Sequence, residues 1–480
     1  MFRLWDRPMT HPDWEHLMTS TIMNQTPQVA SHDTDRLVEL DRRHLIRSLP
    51  DASVTERAVI TRGEGMYVWD SEGNRLLDTG GGGVWHSPIG HGRADMAQAA
   101  AAQIQELEFF TSLQEYTTVP AIELASRLAE LSPTGLNRVF FGSGGSEAVE
   151  TALKAARLYH VRKGQPQRTW LLSRHASYHG TTYGSGTVTG LPPMHMGVGP
   201  NLPHVEKLSP PYLYRADQLY GTSDPTDFLI DELHQTIDRI GAENIAAMIG
   251  EPVMAGGGVL EPPADYWPRV RQVLRDNGIL LIADEVVTAF GRLGSWFASE
   301  ERDMDPDMIT TAKGIAGGYA PLAATLFTDE VADAITNDGG FFHGYTFQGH
   351  PLACALGLKT LDILENEGLL DQAPKIASWL TQGLQEARGL PVVGDVRVVG
   401  SLAALELVAD KNMKIPFDWH AVSAIAAEVR RSHDVIVRPY GYNLVLSPPL
   451  IVTEAQVAEA ADAVTEVLSR TSADGSVRPR

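Results

Sequence analysis

The stretch IAAMIGEPVMAGGGVLEPPADYWPRVRQVLRDNGILLIADE (245–285) contains two short apolar runs with an amphipathic segment between them. The runs IAAMIGE (245–251) and ILLIADE (279–285) have the length and composition of buried strands. The segment ADYWPRVRQVLRDNG (264–278) is typical of a helix that ends at its glycine. Strands that alternate with helices in this way predict a mostly parallel sheet with helices on both faces.

The same alternation extends outward in both directions. RVFFG (138–142) and PLAATLF (321–327) read as further strands, and SEAVETALKAARLYH (146–160) reads as a helix. A hairpin is predicted at 66–79, before this region, and a helix with a capping box at 453–470, after it. The fold class is therefore α/β, with a large domain built on the mostly parallel sheet and a smaller α+β domain formed by the N- and C-terminal segments. The predicted boundaries are an N-terminal arm, irregular over 1–32, and part of the small domain at 1–78, the large domain at 79–345, the C-terminal small domain at 346–472, and a tail at 473–480. The final ten residues are polar and are expected to be frayed.

The amino-acid composition limits which macromolecular partners and which cellular compartment are expected for this protein. The chain of 480 residues has 39 basic and 60 acidic residues, for a net charge of −21. This balance argues against nucleic acid or an anionic membrane surface as a partner, because both attract a basic face. No apolar stretch approaches the roughly 20 residues of a membrane span. A single cysteine, Cys354 in an apolar setting, predicts a buried inert thiol and a cytoplasmic protein.

Lys313 and Asp284 are the two residues that point to chemistry. Lys313 follows the apolar run in PDMITTAKGIAGGYAPLAATL (306–326), and Asp284 ends ILLIAD (279–284). An amine and a buried carboxylate at two strand ends are what a pyridoxal phosphate enzyme needs. The amine holds the cofactor aldehyde as a Schiff base, and the carboxylate keeps the ring nitrogen protonated. The alternative is a solvent-facing lysine after a core strand.

Three other segments could complete such a site. FGSGGSEA (141–148) joins a strand to a helix, where backbone amides and Ser146 could hold a phosphate, although a simple tight turn would look the same. Tyr178 lies in the loop SYHG (177–180) and could stack on a flat cofactor, or simply pack on the core. His175 and His179 are spaced like a helical metal pair, but no carboxylate motif surrounds them, so no metal site is predicted. Thr346 in HGYTFQGHP (343–351) offers a further hydroxyl for a phosphate.

Together these segments resemble the class III, or omega-type, aminotransferases of the fold-type I pyridoxal phosphate enzymes. The resemblance extends from MYVWDSEGNRLLD (66–78) to SPPLIVT (447–453) and is most specific over 251–294 and at the AKG of Lys313. It implies that pyridoxal 5'-phosphate is bound by Gly144, Gly145, Ser146, Tyr178, His179, Asp284, Val286, Lys313 and Thr346. It implies a substrate pocket that includes Trp85, Glu251 and Arg438. Four glycines (80–83) before Trp85 depart from the family's pattern.

The resemblance also implies roles. Lys313 would carry the Schiff base and move the proton, and Asp284 would pair with the ring nitrogen, so these two are the expected catalytic residues. Val286 and Tyr178 would pack on opposite faces of the ring. Thr346 would reach the phosphate of a neighbouring subunit, which implies a homodimer, or a tetramer built from it, with active sites at the subunit interface. Arg438 would clamp a keto acid carboxylate.

The implied activity is a ping-pong transamination from a primary amine or omega-amino acid to a keto acid such as pyruvate. Decarboxylation, racemisation or aminomutase chemistry on the same cofactor is one alternative. A catalytically silent binding protein on the same scaffold is another, and the presence of Lys313, Asp284 and Tyr178 together argues against it.

Overall fold

The structure, a computed structural model, describes residues 33–46, 57–337 and 339–480. The arm predicted within 1–32 lies outside them. The helices are α1 Thr34–His44, α2 Ala94–Glu106, α3 Val119–Leu131, α4 Gly145–Arg162, α5 Tyr183–Val188, α6 Ala216–Tyr220, α7 Thr226–Ile240, α8 Tyr266–Asp276, α9 Ala298–Glu301, α10 Asp329–Thr336, α11 Pro351–Asn366, α12 Gln372–Gly383, α13 Gln385–Arg388, α14 Trp419–His433 and α15 Glu454–Ser469. The strands are β1 Ile60–Glu64, β2 Tyr67–Asp70, β3 Arg75–Asp78, β4 Arg138–Gly142, β5 Trp170–Arg174, β6 Val205–Leu208, β7 Ile245–Gly250, β8 Leu280–Asp284, β9 Met308–Thr311, β10 Ala323–Phe327, β11 Val393–Val399, β12 Leu402–Asp410, β13 Ile415–Pro416, β14 Val435–Ile436, β15 Arg438–Tyr440 and β16 Asn443–Leu446.

A seven-stranded sheet forms the centre of the molecule, in the order β4-β10-β9-β8-β7-β5-β6. The prediction of a mostly parallel sheet is confirmed, and β10 is the exception, because it runs antiparallel to both β4 and β9. Successive residues of β8 enter different cores: Leu281 packs in one hydrophobic cluster, and Leu280 and Ile282 pack in another. The sheet is therefore covered on both faces, which explains why its central strands β7 and β8 are mostly apolar.

Two smaller sheets contain the remaining strands, and one of them combines residues from both ends of the chain. The hairpin of β2 and β3 forms as predicted, and β14 extends its sheet by pairing in parallel with β3, with Val435 opposite Leu77. The other sheet contains β11, β12, β16 and β15, with β13 paired to β12. The boundaries at residues 78, 345 and 472 stay predictions.

The C-terminal segment is more ordered than the sequence predicts. Helix α15 has the expected capping box, in which Thr453 and Gln456 each bond the other's backbone amide. The prediction of a frayed tail is wrong. Thr471 pairs with Val477 in an isolated β-bridge. A side chain at Gly475 would come 2.5 Å from Ala421 Cβ, so this part of the tail lies against α14. The tail therefore turns back and packs on α14.

Cys354 is buried, as predicted, and burial raises the pKa of its thiol to about 12, which keeps it unreactive at neutral pH. Within the described ranges, each helix is too short or too polar to cross a lipid bilayer.

An ion pair fixes the amino end of β8 at the centre of the sheet. Arg271 on α8 donates two hydrogen bonds to Asp307, at 2.9 and 3.0 Å, and the backbone N–H of Leu281 donates a third at 2.7 Å. Asp307 immediately precedes β9, so one carboxylate joins α8, β8 and β9. The opposite end of β8 carries Asp284.

Replacing this carboxylate should destabilise the fold. We expect Asp307→Ala to lower the free energy of unfolding by about 2 kcal/mol, because it leaves a backbone donor unpaired and leaves the buried Arg271 guanidinium with only the Asp305 carboxylate, at 3.6 Å. Urea unfolding followed by circular dichroism measures the change. Asp276→Ala, at the exposed end of α8, is the control and should stay within about 0.5 kcal/mol of the wild type. Equal stability of the two variants would contradict this role for Asp307.

Candidate active site

A cavity of about 410 Å³ contains most of the side chains that the sequence singled out. The predicted residues that line it are Trp85, Gly144, Gly145, Ser146, Tyr178, His179, Glu251, Asp284, Val286 and Lys313. Asp284 ends β8 and Lys313 follows β9, and these strands are parallel neighbours in which Asp284 pairs with Thr310. The cavity therefore opens at the carboxyl ends of the strands, where open α/β sheets bind ligands.

Asp284 is buried and held from two sides. Its Oδ2 accepts a hydrogen bond of 2.6 Å from His179 Nδ1, and its Oδ1 accepts the backbone N–H of Val286 at 3.1 Å. The Asp284 carboxylate is 4% exposed, and the other ring nitrogen of His179 is buried without a partner in the described part of the chain. A carboxylate fixed in this way at a cavity wall is suited to face a cationic group of a bound ligand.

Lys313 begins a short 3-10 turn, Lys313–Ala316, with its backbone in the left-handed region at φ 46°. Among the described residues its amine makes no hydrogen bond or ion pair, although the Asp284 and Glu251 carboxylates lie near enough to act on it electrostatically. Burial lowers the pKa of this amine from 10.5 to about 8; the two carboxylates oppose the shift and Arg438 adds to it. An amine with a large neutral fraction near pH 8 is suited to act as a nucleophile and as a base.

The first turn of α4 provides backbone donors on another side of the cavity. Gly144 caps the helix and Gly145 begins it, so the first amides have no partner within the helix. A side chain at Gly145 would come 3.0 Å from Val286 Cγ1, which shows how closely this turn approaches the cavity wall. Ser146 Oγ accepts the backbone N–H of Thr181 at 3.1 Å. An 18-residue helix that begins here favours an anionic group at its end.

Glu251 follows β7 and is 4% exposed. Its Oε1 accepts the backbone N–H of Tyr178 at 3.3 Å, and its backbone carbonyl accepts a hydrogen bond of 2.7 Å from Arg174. Burial raises the pKa of the Glu251 carboxyl to about 7. Glu251 thus fixes the loop that carries Tyr178, whose half-buried ring lines the cavity.

Trp85, Arg438 and Tyr440 form an aromatic and cationic cluster beside the cavity. The rings of Trp85 and Tyr440 lie 5.5 Å apart, and the Arg438 guanidinium lies 5.2 Å from the first ring and 5.6 Å from the second. Arg438 donates a hydrogen bond to the carbonyl oxygen of Gly83. Trp85 lines the cavity, whereas Arg438 is not among the lining residues.

Thr346 does not join the others within this chain. It is exposed and does not line the cavity. The adjacent Tyr345 lies closer to the site, because its hydroxyl donates to the carbonyl oxygen of Glu147 in the first turn of α4 at 3.1 Å. Thr346 therefore lies on the outer surface near the start of that helix.

The cavity also contains residues that the sequence reasoning missed, above all His86. This residue follows Trp85 and lines the same cavity as Lys313. Burial lowers the pKa of its imidazole below 6.5. Its position after the glycine run 80–83 was the available signal, but no periodicity shows which way the ring points.

The donor set fits pyridoxal phosphate. Lys313 provides an amine for the aldehyde, Asp284 a carboxylate for the ring nitrogen, and the start of α4 a set of amides for the phosphate. Val286 and Tyr178 provide the surfaces between which a flat ring can lie.

Comparison with known proteins agrees with this donor set. The class III aminotransferase family model matches residues 50–468. The putrescine–pyruvate aminotransferase of Pseudomonas aeruginosa is 35% identical over 93% of this chain and 98% of its own length. An amine transaminase from an uncultivated Pseudomonas species, solved in its pyridoxal phosphate-bound form, has a TM-score of 0.84 at 43% identity and covers 88% of this chain and 96% of its own. An (S)-enantioselective omega-transaminase from Thermomicrobium roseum has a TM-score of 0.86 at 40% identity, over 91% and 98%.

The lowered pKa of Lys313 predicts how the apo-protein captures pyridoxal phosphate. Only the neutral amine attacks an aldehyde, so the capture rate should rise with pH and level off above a midpoint of about 8. Stopped-flow absorbance of the cofactor at a series of pH values measures this rate. Lys313→Arg, which keeps the charge and removes the nucleophile, should show no such phase. A rate that still rises at pH 10 would contradict the lowered pKa.

Proposed function

Because the chain belongs to the class III aminotransferases and uses pyridoxal phosphate, we propose that it transfers the amino group of a primary amine or omega-amino acid to a keto acid such as pyruvate in two ping-pong half-reactions. The observation that carries this proposal is the pairing of Lys313 and Asp284 at the ends of neighbouring strands in one cavity. The name of the Pseudomonas aeruginosa relative couples putrescine with pyruvate, which supports pyruvate as the acceptor.

The cofactor, when bound, supplies an electron sink for the substrate carbon that loses or gains a proton. Lys313 would move one proton in each half-reaction: its neutral amine takes the proton from one carbon, and the resulting ammonium gives it to the other, between the substrate and the cofactor, so that the amine is neutral again at the end. A pKa of about 8 suits an amine that must both accept and donate this proton, because neither the neutral amine nor the ammonium is strongly disfavoured near neutral pH. Asp284, held by His179 and by the Val286 amide, would provide the carboxylate for the ring nitrogen.

The remaining predicted residues bind rather than react. Gly144, Gly145 and Ser146 would hold the phosphate at the start of α4, and Tyr178 would cover one face of the ring. Trp85 would contact the substrate, and Arg438 would provide a guanidinium for the keto acid carboxylate. One nitrogen of that guanidinium donates to the Gly83 carbonyl, and its remaining N–H donors are the ones that would bind a carboxylate.

A homodimer is the proposed working unit. Phe109 and Phe347 pack at 5.5 Å, and Gln348 donates to the Ser112 carbonyl at 3.2 Å, so residues 109–122 and 342–350 form one surface. Its exposed apolar side chains are Phe110, Leu113, Tyr116, Val119, Ile122, Phe342 and Phe347. An apolar patch of this kind supports an interface. Thr346 lies within the patch, which supports its proposed role at the phosphate of the second subunit.

We also propose a cytoplasmic location and no nucleic acid partner. The basis is the single buried Cys354, which needs no oxidising compartment, and the net charge of −21, which disfavours a polyanion.

The two half-reactions can be separated by the absorbance of the bound cofactor. In the wild-type holoenzyme we expect a primary amine such as putrescine to change the spectrum and pyruvate to restore it. Lys313→Ala should slow both changes by about 100-fold or more, because proton transfer loses its base and acid. Lys375→Ala, an exposed lysine on α12, is the matched control and should behave as the wild type.

Two outcomes would overturn the proposal. Full turnover by Lys313→Ala would show that Lys313 does not transfer the proton, which contradicts the proposed mechanism. Release of CO2 from an amino acid without amino transfer to pyruvate would replace transamination by decarboxylation.

The proposed dimer predicts the behaviour of the exposed apolar patch. Light scattering should give a mass of about twice 52.3 kDa for the wild type. Phe342→Asp places a charge on a side chain that is 99% exposed in the single chain, so it should weaken association and, with it, cofactor retention. Met413→Asp, at a 65% exposed position elsewhere, is the control. A monomeric wild type, or equal effects of both substitutions, would contradict the assigned interface.

A further inference from the structure

The glycine run 80–83 and His86 are not explained by the proposed function. Gly81, Gly82 and Gly83 all have positive φ, at 58°, 71° and 80°. A side chain on Gly82 would come 2.2 Å from His86 Cε1 and 2.5 Å from Nε2. Glycine at this position is therefore needed for the imidazole to occupy its place, and the unusual run and the histidine form one feature.

A second glycine backbone packs on the same ring. Gly318 lies five residues after Lys313 in the loop that follows the Lys313–Ala316 turn, and a side chain there would come 2.2 Å from His86 Cδ2. The imidazole is thus held between the glycine run and the loop of the active-site lysine. This packing fixes the ring without using either of its nitrogens.

The fixed ring keeps its hydrogen-bonding capacity for a ligand. Within the described part of the chain, neither nitrogen of His86 has a hydrogen-bond partner, and the side chain lines the same cavity as Lys313. Burial lowers the pKa of the ring below 6.5, so the imidazole is neutral at neutral pH. A neutral imidazole has one N–H donor and one acceptor nitrogen.

Charged groups of both signs lie near His86. Lys313 and Arg292 are cations near the ring, and the buried Arg292 guanidinium donates hydrogen bonds to the Ser401 hydroxyl and to two backbone carbonyls. Asp78 is the nearby carboxylate, but it already accepts two backbone amides of the glycine run and the His91 ring at 2.9 Å. The turn therefore holds the Asp78 carboxylate in place near the ring.

We propose that His86 is a specificity-determining residue of the amino-acceptor half-reaction, in which its N–H donates a hydrogen bond to the carboxylate of the keto acid. This inference rests on the proposed function and adds a second contact to it. It differs from the role proposed for Arg438, which in this structure is bonded to Gly83 and does not line the cavity. The glycine turn thus contacts both side chains, Arg438 through the Gly83 carbonyl and His86 through Gly82.

Two substitutions separate hydrogen bonding from shape. His86→Phe keeps a ring and removes the donor, whereas His86→Gln keeps a donor and removes the ring. Oxamate has the carboxylate of pyruvate and an unreactive amide, so calorimetric titration of the holoenzyme with oxamate reports binding without turnover. We expect His86→Phe to raise the Kd of oxamate and the KM of pyruvate about tenfold, the scale of one hydrogen bond to a charged group. His86→Gln should recover most of the loss.

Propanal, an acceptor without a carboxylate, gives the discriminating comparison. The KM of propanal should change by less than about threefold in His86→Phe, and kcat with either acceptor should be similarly preserved. Equal losses with pyruvate and propanal would show that His86 only shapes the cavity and would overturn the inference. His234→Phe, an exposed histidine on α7, is the control.

Failure of the inference and failure of the proposed function give different results. If the wild type transfers amino groups and His86→Phe binds oxamate as tightly as the wild type, the inference alone is wrong. If the wild type neither binds oxamate nor transfers amino groups to pyruvate, the proposed acceptor itself is wrong.

Discussion

The hydrogen bond between Asp284 and His179 is the constraint on which the site depends. A carboxylate at the end of a central strand is costly to bury unless donors surround it, and here the donors come from the loop after β5 and from the chain after β8. Glu251, which follows the intervening strand β7, fixes the loop from the other side through the Tyr178 amide. Three strand ends must therefore be in register before Lys313 faces a carboxylate, so the sheet and the site are specified together.

Local periodicity explains how much of the fold was predictable. The strands at 245–250 and 280–284 and the helix between them follow from patterns that extend over a few residues. The direction of β10 does not follow from such patterns, because it depends on the connection from β9. That connection, 312–322, contains only a short 3-10 turn, and parallel strands need a longer crossover. The tail was mispredicted as frayed because its bridge joins residues whose polar sequence has no strand period.

The site was predictable where a residue type is tied to a motif, and less so where contacts join distant segments. Lys313 and Asp284 stand out because an amine and an acid interrupt apolar runs. The bond from Arg438 to Gly83 joins residues 355 positions apart, and the packing of His86 on Gly318 joins two loops. No periodic pattern in the sequence predicts either contact. Thr346 is exposed in the single chain, so its role depends on a second chain that one sequence does not position.

The pairing of β14 with β3 affects how the protein folds during its synthesis. Leu77 lies opposite Val435, so the sheet that begins near the N-terminus cannot be completed until most of the polypeptide has left the ribosome. Contacts of this sequence separation close large loops and form slowly. During translation the nascent hairpin β2–β3 must wait with one edge uncovered, and such an edge is where wrong partners pair. In a host that elongates rapidly or lacks chaperones, misfolding of this protein would therefore start at the β2–β3 hairpin and not at the catalytic centre.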